Sequence, residues 1–276
     1  MKISRSEILG FCHGVRRAVL AAENNPNSFI VGGDIIHNPS EAARLCKDYN
    51  VISAPDPASI PINGKALIRA HGVSQKIEDD LRNRNVSITD ATCPNVKKVH
   101  ELTQSLVAGG YTIFLLGDRD HPEVLGIVGR VDREVIIFSS LAELESINIP
   151  TRVALISQTT KPLDEFEKAK LFISARAEDF ESFCTVCPAM CRNIDAAANL
   201  ASKCDVMIIV GGAKSSNTKA LVQTAKQFCK DCYSVEDASQ LKREWFDGKK
   251  HCGIAAGLST PDYSVDQVEH TIVTFS

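Results

Sequence analysis

The stretch YTIFLLGDRDHPE, residues 111–123, decides the fold class. Its first seven residues form a short apolar run with the composition of a buried strand, and the polar segment His121-Pro122-Glu123 follows soon after the run ends. Six further runs rich in Val, Ile and Leu have the same form, and helical patterns follow them. We therefore predict seven parallel strands, which are Ser28–Gly32, Lys65–Arg69, Val86–Asp90, Tyr111–Gly117, Arg152–Ser157, Asp205–Val210 and His251–Ala255.

Helical patterns separate these strands, so the sequence predicts an α/β fold built on parallel sheets. The predicted helices span Val15–Asn24, Ser40–Tyr49, Ser74–Asn83, Asn95–Ala108, Leu163–Arg176, Arg192–Lys203, Thr218–Phe228 and Ala238–Trp245. The strand count divides into three small α/β units, which we place at 13–94, at 95–184, and at 1–12 together with 185–276. Ligands bind at the carboxyl ends of parallel strands, so chemistry is expected at that edge.

Composition and motif content argue against several classes of protein. The 276 residues carry a formal charge of −3 from 31 basic and 34 acidic side chains that are interspersed, which leaves no basic stripe for nucleic acid. No window approaches the roughly 20 apolar residues of a membrane span, and no early segment has the form of a secretion signal, so we expect a cytoplasmic protein. The G-x-G-x-x-G and P-loop motifs are absent, so electrons for any reduction must come from a partner protein.

The ten cysteines are many for a chain in a reducing compartment. Cys12 lies between glycines directly before a predicted helix, and Cys93 closes a strand before Pro94. Both positions favour the thiolate, because a helix amino terminus stabilises negative charge. The sequence therefore predicts that Cys12 and Cys93 are nucleophiles or ligands of a metal cluster.

A third cysteine group, CTVCPAMC at 184–191, has three interpretations that its local spacing leaves open. One cysteine of the group joins Cys12 and Cys93 as the third ligand of a cluster. Alternatively, two Cys-x2-Cys pairs form a zinc site, or the group is a local ferredoxin-type run. The four cysteines of the zinc alternative are Cys184, Cys187, Cys229 and Cys232.

Histidine, hydroxyl and amide side chains follow the predicted strands at equivalent positions. His37, His71 and His121 each lie just past a strand, and Glu123 lies two residues after His121, a spacing that suits proton delivery beside a bound anion. Other polar side chains lie at predicted helix amino termini, where phosphate binds, although capping alone would explain any one of them. These residues are Thr159, Thr160, Ser215, Ser216, Asn217 and Ser259.

Together these segments resemble the 4-hydroxy-3-methylbut-2-enyl diphosphate reductase (LytB) family, whose enzyme is the last of the non-mevalonate isoprenoid pathway. The matching segments are Gly10-Phe11-Cys12-x-Gly14-Val15-x-Arg17-Ala18, His37-Asn38, Ala70-His71-Gly72-Val73-Ser74, Asp90-Ala91-Thr92-Cys93-Pro94, His121-Pro122-Glu123-Val124-x-Gly126, Gln158-Thr159-Thr160, Ser215-Ser216-Asn217 and Ser259-x-Pro261. Each segment is short, but their joint order along almost the whole chain is highly specific.

The resemblance implies three similar α/β units around a central [4Fe-4S] cluster held by Cys12, Cys93 and Cys187, with the fourth iron open to the substrate's hydroxyl oxygen. It implies a two-electron, two-proton removal of that hydroxyl to give isopentenyl and dimethylallyl diphosphate, with a ferredoxin- or flavodoxin-type electron donor. Glu123, assisted by Thr159 and His121, would deliver protons. The implied substrate-binding residues are His37, His71, His121, Thr159, Ser215, Ser216, Asn217 and Ser259.

The sequence departs from the family pattern at the third cysteine. The usual pattern there is Cys-x-Ala-Thr followed by Arg-Gln, whereas Cys187-Pro188-Ala189-Met190 is followed here by Asn193-Ile194. Cys184 and Cys191 flank Cys187 and compete for the same role. We assign Cys187, because Ala189 and the place before a helix match the pattern. A zinc or iron–sulfur protein without catalysis and an iron–sulfur hydro-lyase stay open as alternative functions.

Overall fold

Three four-stranded parallel sheets organise residues 1–36 and 38–275, which the computed structural model describes. The strands are β1 (Lys2–Arg5), β2 (Phe29–Val31), β3 (Ile52–Ala54), β4 (Lys65–Ile68), β5 (Ser87–Asp90), β6 (Thr112–Leu116), β7 (Val135–Phe138), β8 (Arg152–Ser157), β9 (Asp179–Ser182), β10 (Val206–Val210), β11 (Cys232–Val235) and β12 (His251–Ala256). The helices are α1 (His13–Glu23), α2 (Pro39–Tyr49), α3 (Gln75–Asn83), α4 (Pro94–Ala108), α5 (Pro122–Val128), α6 (Leu141–Glu145), α7 (Leu163–Ser174), α8 (Pro188–Ala201), α9 (Ser216–Phe228) and α10 (Asp262–Phe275). Short 3-10 turns occupy Pro57–Ser59, Ala238–Gln240 and Arg243–Phe246.

The three sheets share one strand order. The orders are β3-β2-β4-β5, β7-β6-β8-β9 and β11-β10-β12-β1, and neighbouring strands run parallel in each. In the last sheet the outer strand β1 comes from the amino-terminal segment and pairs with β12, with Lys2 opposite His251. The repeated order confirms the predicted α/β class with parallel sheets. The residue limits of the three predicted units remain a prediction.

The chain divides into two compact units, which are described separately. Unit 1 comprises Met1–Val15, Ile36–Glu41 and Pro188–Ser276, apart from His37 and Ser276, and contains the sheet of β1, β10, β11 and β12. Unit 2 comprises Arg16–Ile35 and Ala42–Cys187 and contains the other two sheets.

Strand β10 shows how the sheet of unit 1 is buried on both faces. Val206, Ile208 and Val210 pack in one apolar cluster with residues of β12 and α10. Met207 and Ile209 point to the opposite face and pack in a second cluster with residues of α8 and α9. Because alternate side chains of a strand point to opposite faces, a strand covered on both sides is a continuous apolar run, as β10 is.

Packing on strand β6 holds helices α4 and α5 of unit 2 in place, and each lies at a predicted functional residue. Ile113 and Leu115 of β6 are fully buried against Val99 of α4 and against Val124 and Ile127 of α5. Burying one such side chain contributes about 1.5–3 kcal/mol. The helix that follows Cys93 and the helix that contains Glu123 are therefore held on the same sheet.

The seven predicted strands are confirmed, but the predicted helix Ala238–Trp245 is wrong. The segment forms two 3-10 turns separated at Leu241, whose backbone is extended (φ −69°, ψ 138°). Leu241 and Phe246 still reach the core of unit 1, so the apolar spacing is satisfied without an α-helix. Among the described residues, none of the helices combines the length and the apolar character that crossing a bilayer requires.

Candidate active site

Two cysteines of unit 2 lie directly before helices. Cys93 is the N-cap residue of α4, and Cys187 immediately precedes the first residue of α8. The Cys187 backbone N–H donates to the Thr159 carbonyl at 2.8 Å. The side-chain amide of Asn95, in the first turn of α4, donates to the Cys187 sulfur at 3.4 Å. The first turn of α4 therefore contains both the cap Cys93 and a donor to Cys187, and no sequence motif marks Asn95.

The charges of Cys187 and Glu123 act on the Cys93 thiol. Burial raises the pKa of the Cys93 thiol, whereas hydrogen bonds from the backbone N–H groups of Asn95 and Val96 act in the opposite direction. The nearby charges of Cys187 and Glu123 raise the pKa of Cys93 further. Cys93, Cys187 and Glu123 thus share one electrostatic neighbourhood within unit 2.

Cys12 has an equivalent setting in unit 1. It immediately precedes α1, and its sulfur accepts a hydrogen bond from the Val15 backbone N–H at 3.5 Å. The Cys12 backbone N–H donates to the Leu258 carbonyl at 3.1 Å. Gly10 has φ +75°, and a Cβ there would lie 2.2 Å from Oδ1 of Asp262, so the turn before Cys12 requires glycine.

The donor set of Cys12, Cys93 and Cys187 fits an iron–sulfur cluster. Each cysteine stands at the beginning of a helix, the sulfurs of Cys12 and Cys187 each accept an N–H hydrogen bond, and the backbone N–H groups of Asn95 and Val96 lower the pKa of Cys93. Helix amino termini stabilise thiolates, and hydrogen bonds to ligand sulfurs tune the potential of a cluster. These surroundings therefore suit Cys12, Cys93 and Cys187 to the ligand role that the sequence predicts for them.

Other cysteines of unit 1 have the surroundings of core residues. Cys229 and Cys232 lie in the cluster between the sheet, α8 and α9, and Cys252 lies on the opposite face of the sheet. Burial raises the pKa of Cys232 to about 11 and that of Cys252 to about 12. Within residues 1–36 and 38–275, no three His, Cys, Asp or Glu side chains are placed to hold a metal ion. Cys229 and Cys232 thus have the surroundings of buried core thiols, and the zinc alternative that pairs them with Cys184 and Cys187 stays a prediction.

Glu123 and Thr159 form a buried hydrogen-bonded pair in unit 2. The Thr159 backbone N–H and Oγ1–H donate to the two carboxylate oxygens of Glu123 at 2.6 and 2.8 Å. Only 2% of Glu123 is exposed. Burial raises the pKa of Glu123 to about 6, although the two donors from Thr159 lower it. A carboxyl group with this pKa can hold and release a proton near neutral pH.

His71 and His121 lie side by side at the carboxyl ends of their strands. Their ring centroids are 5.4 Å apart and the rings are nearly perpendicular. The Glu123 backbone N–H donates to Nδ1 of His121 at 3.2 Å. Because Nδ1 accepts, a neutral His121 carries its proton on Nε2, which is then a donor to an anion.

His100 belongs to the same region, although its sequence context is that of an ordinary helix. It lies on α4, only 6% exposed, and its Nε2 has no hydrogen-bond partner. A Cβ added to Gly72 would lie 2.7 Å from Cε1 of His100, and one added to Gly126 would lie 3.5 Å from its Nε2. Burial is the main cause that lowers the pKa of His100 to about 4, so the ring is neutral. A neutral imidazole therefore packs against the glycines that follow His71 and Glu123.

The predicted phosphate-binding residues of unit 1 lie at the start of α9 and after β12. Ser215 is the N-cap of α9, and its Oγ accepts from the Thr218 backbone N–H at 3.3 Å. Asn217 is 6% exposed, and neither polar atom of its side chain has a hydrogen-bond partner. Since buried amides are nearly always paired, Asn217 has the property expected of a ligand contact at a helix amino terminus.

Two further predicted residues, Ser216 and Ser259, also lie in unit 1. The Asn38 side-chain amide donates to the Ser259 carbonyl at 3.3 Å and thereby holds the loop after β12. Ser216 begins α9 and is partly exposed. His37, which the sequence assigns to the same ligand, lies outside the described residues.

Comparison with known proteins connects the chain to one family over nearly its whole length. The model of the family described as LytB protein matches residues 3–273. The 4-hydroxy-3-methylbut-2-enyl diphosphate reductases of Helicobacter pylori (strain P12) and Campylobacter hominis are 43% and 41% identical over 274 residues. The alignments cover 99% of this chain and 100% and 99% of those proteins.

Solved structures of such reductases have the same fold. The structure of an (E)-4-hydroxy-3-methyl-but-2-enyl diphosphate reductase, the terminal enzyme of the non-mevalonate pathway, is 34% identical with a TM-score of 0.72 and covers 99% of both chains. The reductase structure from Plasmodium falciparum has a TM-score of 0.91 over 98% of this chain and 87% of its own. At 24% identity, the latter supports the fold alone.

Proposed function

Because the chain belongs to the LytB protein family, we propose that it reduces 4-hydroxy-3-methylbut-2-enyl diphosphate, removing the hydroxyl group to give isopentenyl and dimethylallyl diphosphate. This is the last reaction of the non-mevalonate isoprenoid pathway. The single observation that carries the proposal is the buried Glu123–Thr159 pair, which shares an electrostatic neighbourhood with Cys93 and Cys187. That arrangement combines cluster ligands with a proton donor, and a reductive dehydroxylation needs both.

The family binds an iron–sulfur cluster, and we propose that this chain holds one [4Fe-4S] cluster on Cys12, Cys93 and Cys187. When bound, such a cluster supplies electrons in single steps and an iron without a protein ligand that acts as a Lewis acid. Cys187 is preferred to Cys184 and Cys191 because the Asn95 amide donates to its sulfur and its charge acts on Cys93.

The proposed diphosphate-binding residues of each unit have side chains suited to an anion. His121 and His71 of unit 2 are neutral donors or, when protonated, cations for an anionic ligand. In unit 1 the start of α9 offers backbone N–H groups and the Asn217 amide. The complete proposed set is His37, His71, His121, Thr159, Ser215, Ser216, Asn217 and Ser259.

Glu123 is the proposed proton donor to the leaving hydroxyl group. Its two hydrogen bonds from Thr159 fix the direction of the carboxyl group, and its burial keeps its pKa at about 6. His121 lies two residues away, with its Nδ1 bound to the Glu123 N–H. Thr159 and His121 therefore orient the donor, and His121 also contacts the anion.

Electrons are proposed to come from a ferredoxin- or flavodoxin-type protein, because the chain lacks the motifs for a nicotinamide cofactor. The reaction is proposed to take place in the cytoplasm, where reducing conditions maintain ligand thiols.

Anaerobic purification with turnover of the allylic diphosphate tests the proposed function. A brown protein with about four irons per chain, as a cubane cluster requires, should form the two products only when a reductant such as reduced methyl viologen is present. Turnover without a reductant would indicate a hydro-lyase. A colourless protein without turnover after reconstitution with iron and sulfide would contradict the assignment.

Asn217→Asp should weaken substrate binding more than it slows the chemical step. Asparagine can donate to a phosphate oxygen, whereas aspartate repels it, and a hydrogen bond to a charged group contributes about 1.5–3 kcal/mol. We expect KM to rise about 10- to 100-fold in steady-state assays with reduced viologen. Asn199→Asp, at an exposed position of α8, is the matched control. A KM within about twofold of wild type in a folded Asn217→Asp protein would remove Asn217 from the diphosphate site.

A further inference from the structure

Basic side chains form a surface beside Cys93 in unit 2. We call Arg16, Arg17, Lys97 and Lys98 the basic patch. Arg16 and Lys98 are exposed, and Arg17 and Lys97 are partly exposed. The patch contrasts with the whole chain, whose formal charge is −3. This concentration of cations adjoins a cysteine that is itself partly exposed.

Direct contacts bring the two helices of the basic patch together at the end of β5. Arg17 of α1 donates to the carbonyls of Thr92 and Asp90 at 3.0 and 3.3 Å. Lys97 of α4 forms an ion pair with the Asp90 carboxylate. Residues 90–92 lead directly to Cys93. Arg17 and Lys97 therefore contact the segment that leads to this sulfur, and Arg16 and Lys98 are their exposed neighbours along the two helices.

Acidic groups on these elements offset only part of the charge of the patch, because its four cations are opposed by two carboxylates, those of Asp90 and Glu101. Asp90 is engaged by Lys97, and Glu23, at the far end of α1, pairs with Arg44. Glu101 lies one turn farther along α4 than Lys97. Leu20 lies one turn from Arg16 and is 49% exposed, which adds an apolar contact beside the charges. Apolar residues inside a charged rim are typical of protein interfaces.

We propose that the basic patch docks an acidic one-electron carrier protein, whose electrons enter through Cys93. The inference rests on the proposed function. Two reduced carriers each lose one electron per turnover. The substrate C–O bond breaks, one proton leaves with the hydroxyl as water, and the carbon skeleton gains the other proton and the electron pair. Complementary charge raises the rate of encounter by about 10- to 1000-fold at low ionic strength, and salt screens it.

Comparing two electron donors on the loaded enzyme tests the proposal. The double variant Arg16→Glu/Lys98→Glu should lower kcat/KM for a reduced, acidic flavodoxin by at least about tenfold at low salt, and should weaken flavodoxin binding to the immobilised protein by a similar factor in surface plasmon resonance. Turnover with reduced methyl viologen, a small cation that needs no docking surface, should stay within about twofold of wild type. Arg133→Glu/Lys203→Glu changes the net charge equally at exposed positions outside the patch and should leave both rates unchanged.

The possible results distinguish a failure of the docking proposal from a failure of the proposed function. Loss with flavodoxin alone, together with a wild-type flavodoxin rate that falls as salt is added, supports the docking surface. Equal losses with both donors would mean that the patch attracts the diphosphate or supports the fold, and would overturn the proposal. An unchanged flavodoxin rate would overturn it as well. Absence of viologen turnover in the wild-type enzyme would instead refute the proposed function.

Discussion

Replacing Cys187 with alanine is expected to abolish both the iron–sulfur cluster and turnover. Alanine offers no ligand, and only two of the three proposed thiolates, Cys12 and Cys93, would remain. Even a group that merely orients a metal ligand contributes 10- to 100-fold, so loss of the ligand itself should lower activity by at least about 100-fold. Iron and sulfide analysis with the visible spectrum of anaerobically purified protein measures the cluster directly.

The neighbouring cysteines provide matched controls for that result. Cys184→Ala and Cys191→Ala remove thiols three residues before and four residues after Cys187. Both variants should keep the cluster, because the Asn95 amide donates to the Cys187 sulfur and Cys187 acts electrostatically on Cys93. Full iron content in Cys187→Ala, with loss in either control, would transfer the ligand role to the flanking cysteine.

Asn95→Ala should produce a smaller effect on the same centre. Removing the amide takes one hydrogen bond from the Cys187 sulfur, and such bonds tune the potential of a cluster. The variant should therefore keep its iron, and its potential, measured by redox titration, should become more negative. An unchanged potential in a fully loaded variant would show that the Asn95 contact does not act on the cluster.

Central strands were predictable from the sequence, whereas most edge strands were not. The middle strands of the three sheets are apolar runs, because helices cover both of their faces. The five strands that the sequence pattern does not reveal, β1, β3, β7, β9 and β11, all lie at sheet edges. A strand such as β9, DFES, is partly exposed along its length and has no continuous apolar run.

One long helix also lacked a sequence signal. Helix α10, DYSVDQVEHTIVTF, is rich in Val, Thr and Ile, which are weak helix formers because branching at Cβ restricts their side chains. Val265, Val268 and Ile272 are nevertheless buried in the core of unit 1. Tertiary packing therefore stabilises this helix where intrinsic propensity does not.

Residues of the candidate site were likewise predictable only where a local sequence motif marks them. His71, His121 and Glu123 were predictable because each follows a strand in a short polar motif. Asn95 and His100 were not, since the contact of Asn95 is with a sulfur 92 residues away and His100 packs against one glycine in a loop and another in α5. Such contacts exist only after the strands have brought distant segments together.

Replacing Glu123 with glutamine is expected to lower kcat by about 100- to 10,000-fold, the contribution of a positioned proton donor. Glutamine retains the size of the side chain and can accept a hydrogen bond from Thr159, but it cannot release a proton. KM should change much less, because the diphosphate is held elsewhere. Glu181→Gln, on β9, is a control for the substitution itself. A kcat within about twofold of wild type would exclude Glu123 as the donor.

The pH dependence of kcat identifies the same group independently. A proton donor works in its protonated form, so the wild-type rate should fall as pH rises through the Glu123 pKa of about 6. Thr159→Val removes the hydroxyl that donates to the carboxylate at 2.8 Å and stabilises its charged form. The pKa of Glu123 should therefore rise and the falling limb should move to higher pH, whereas Thr159→Ser retains the hydroxyl and should leave the limb in place. Rates are measured with reduced methyl viologen, whose oxidation releases no proton. If the falling limb of the pH profile stays at the same pH in Thr159→Val, the group that titrates is not Glu123.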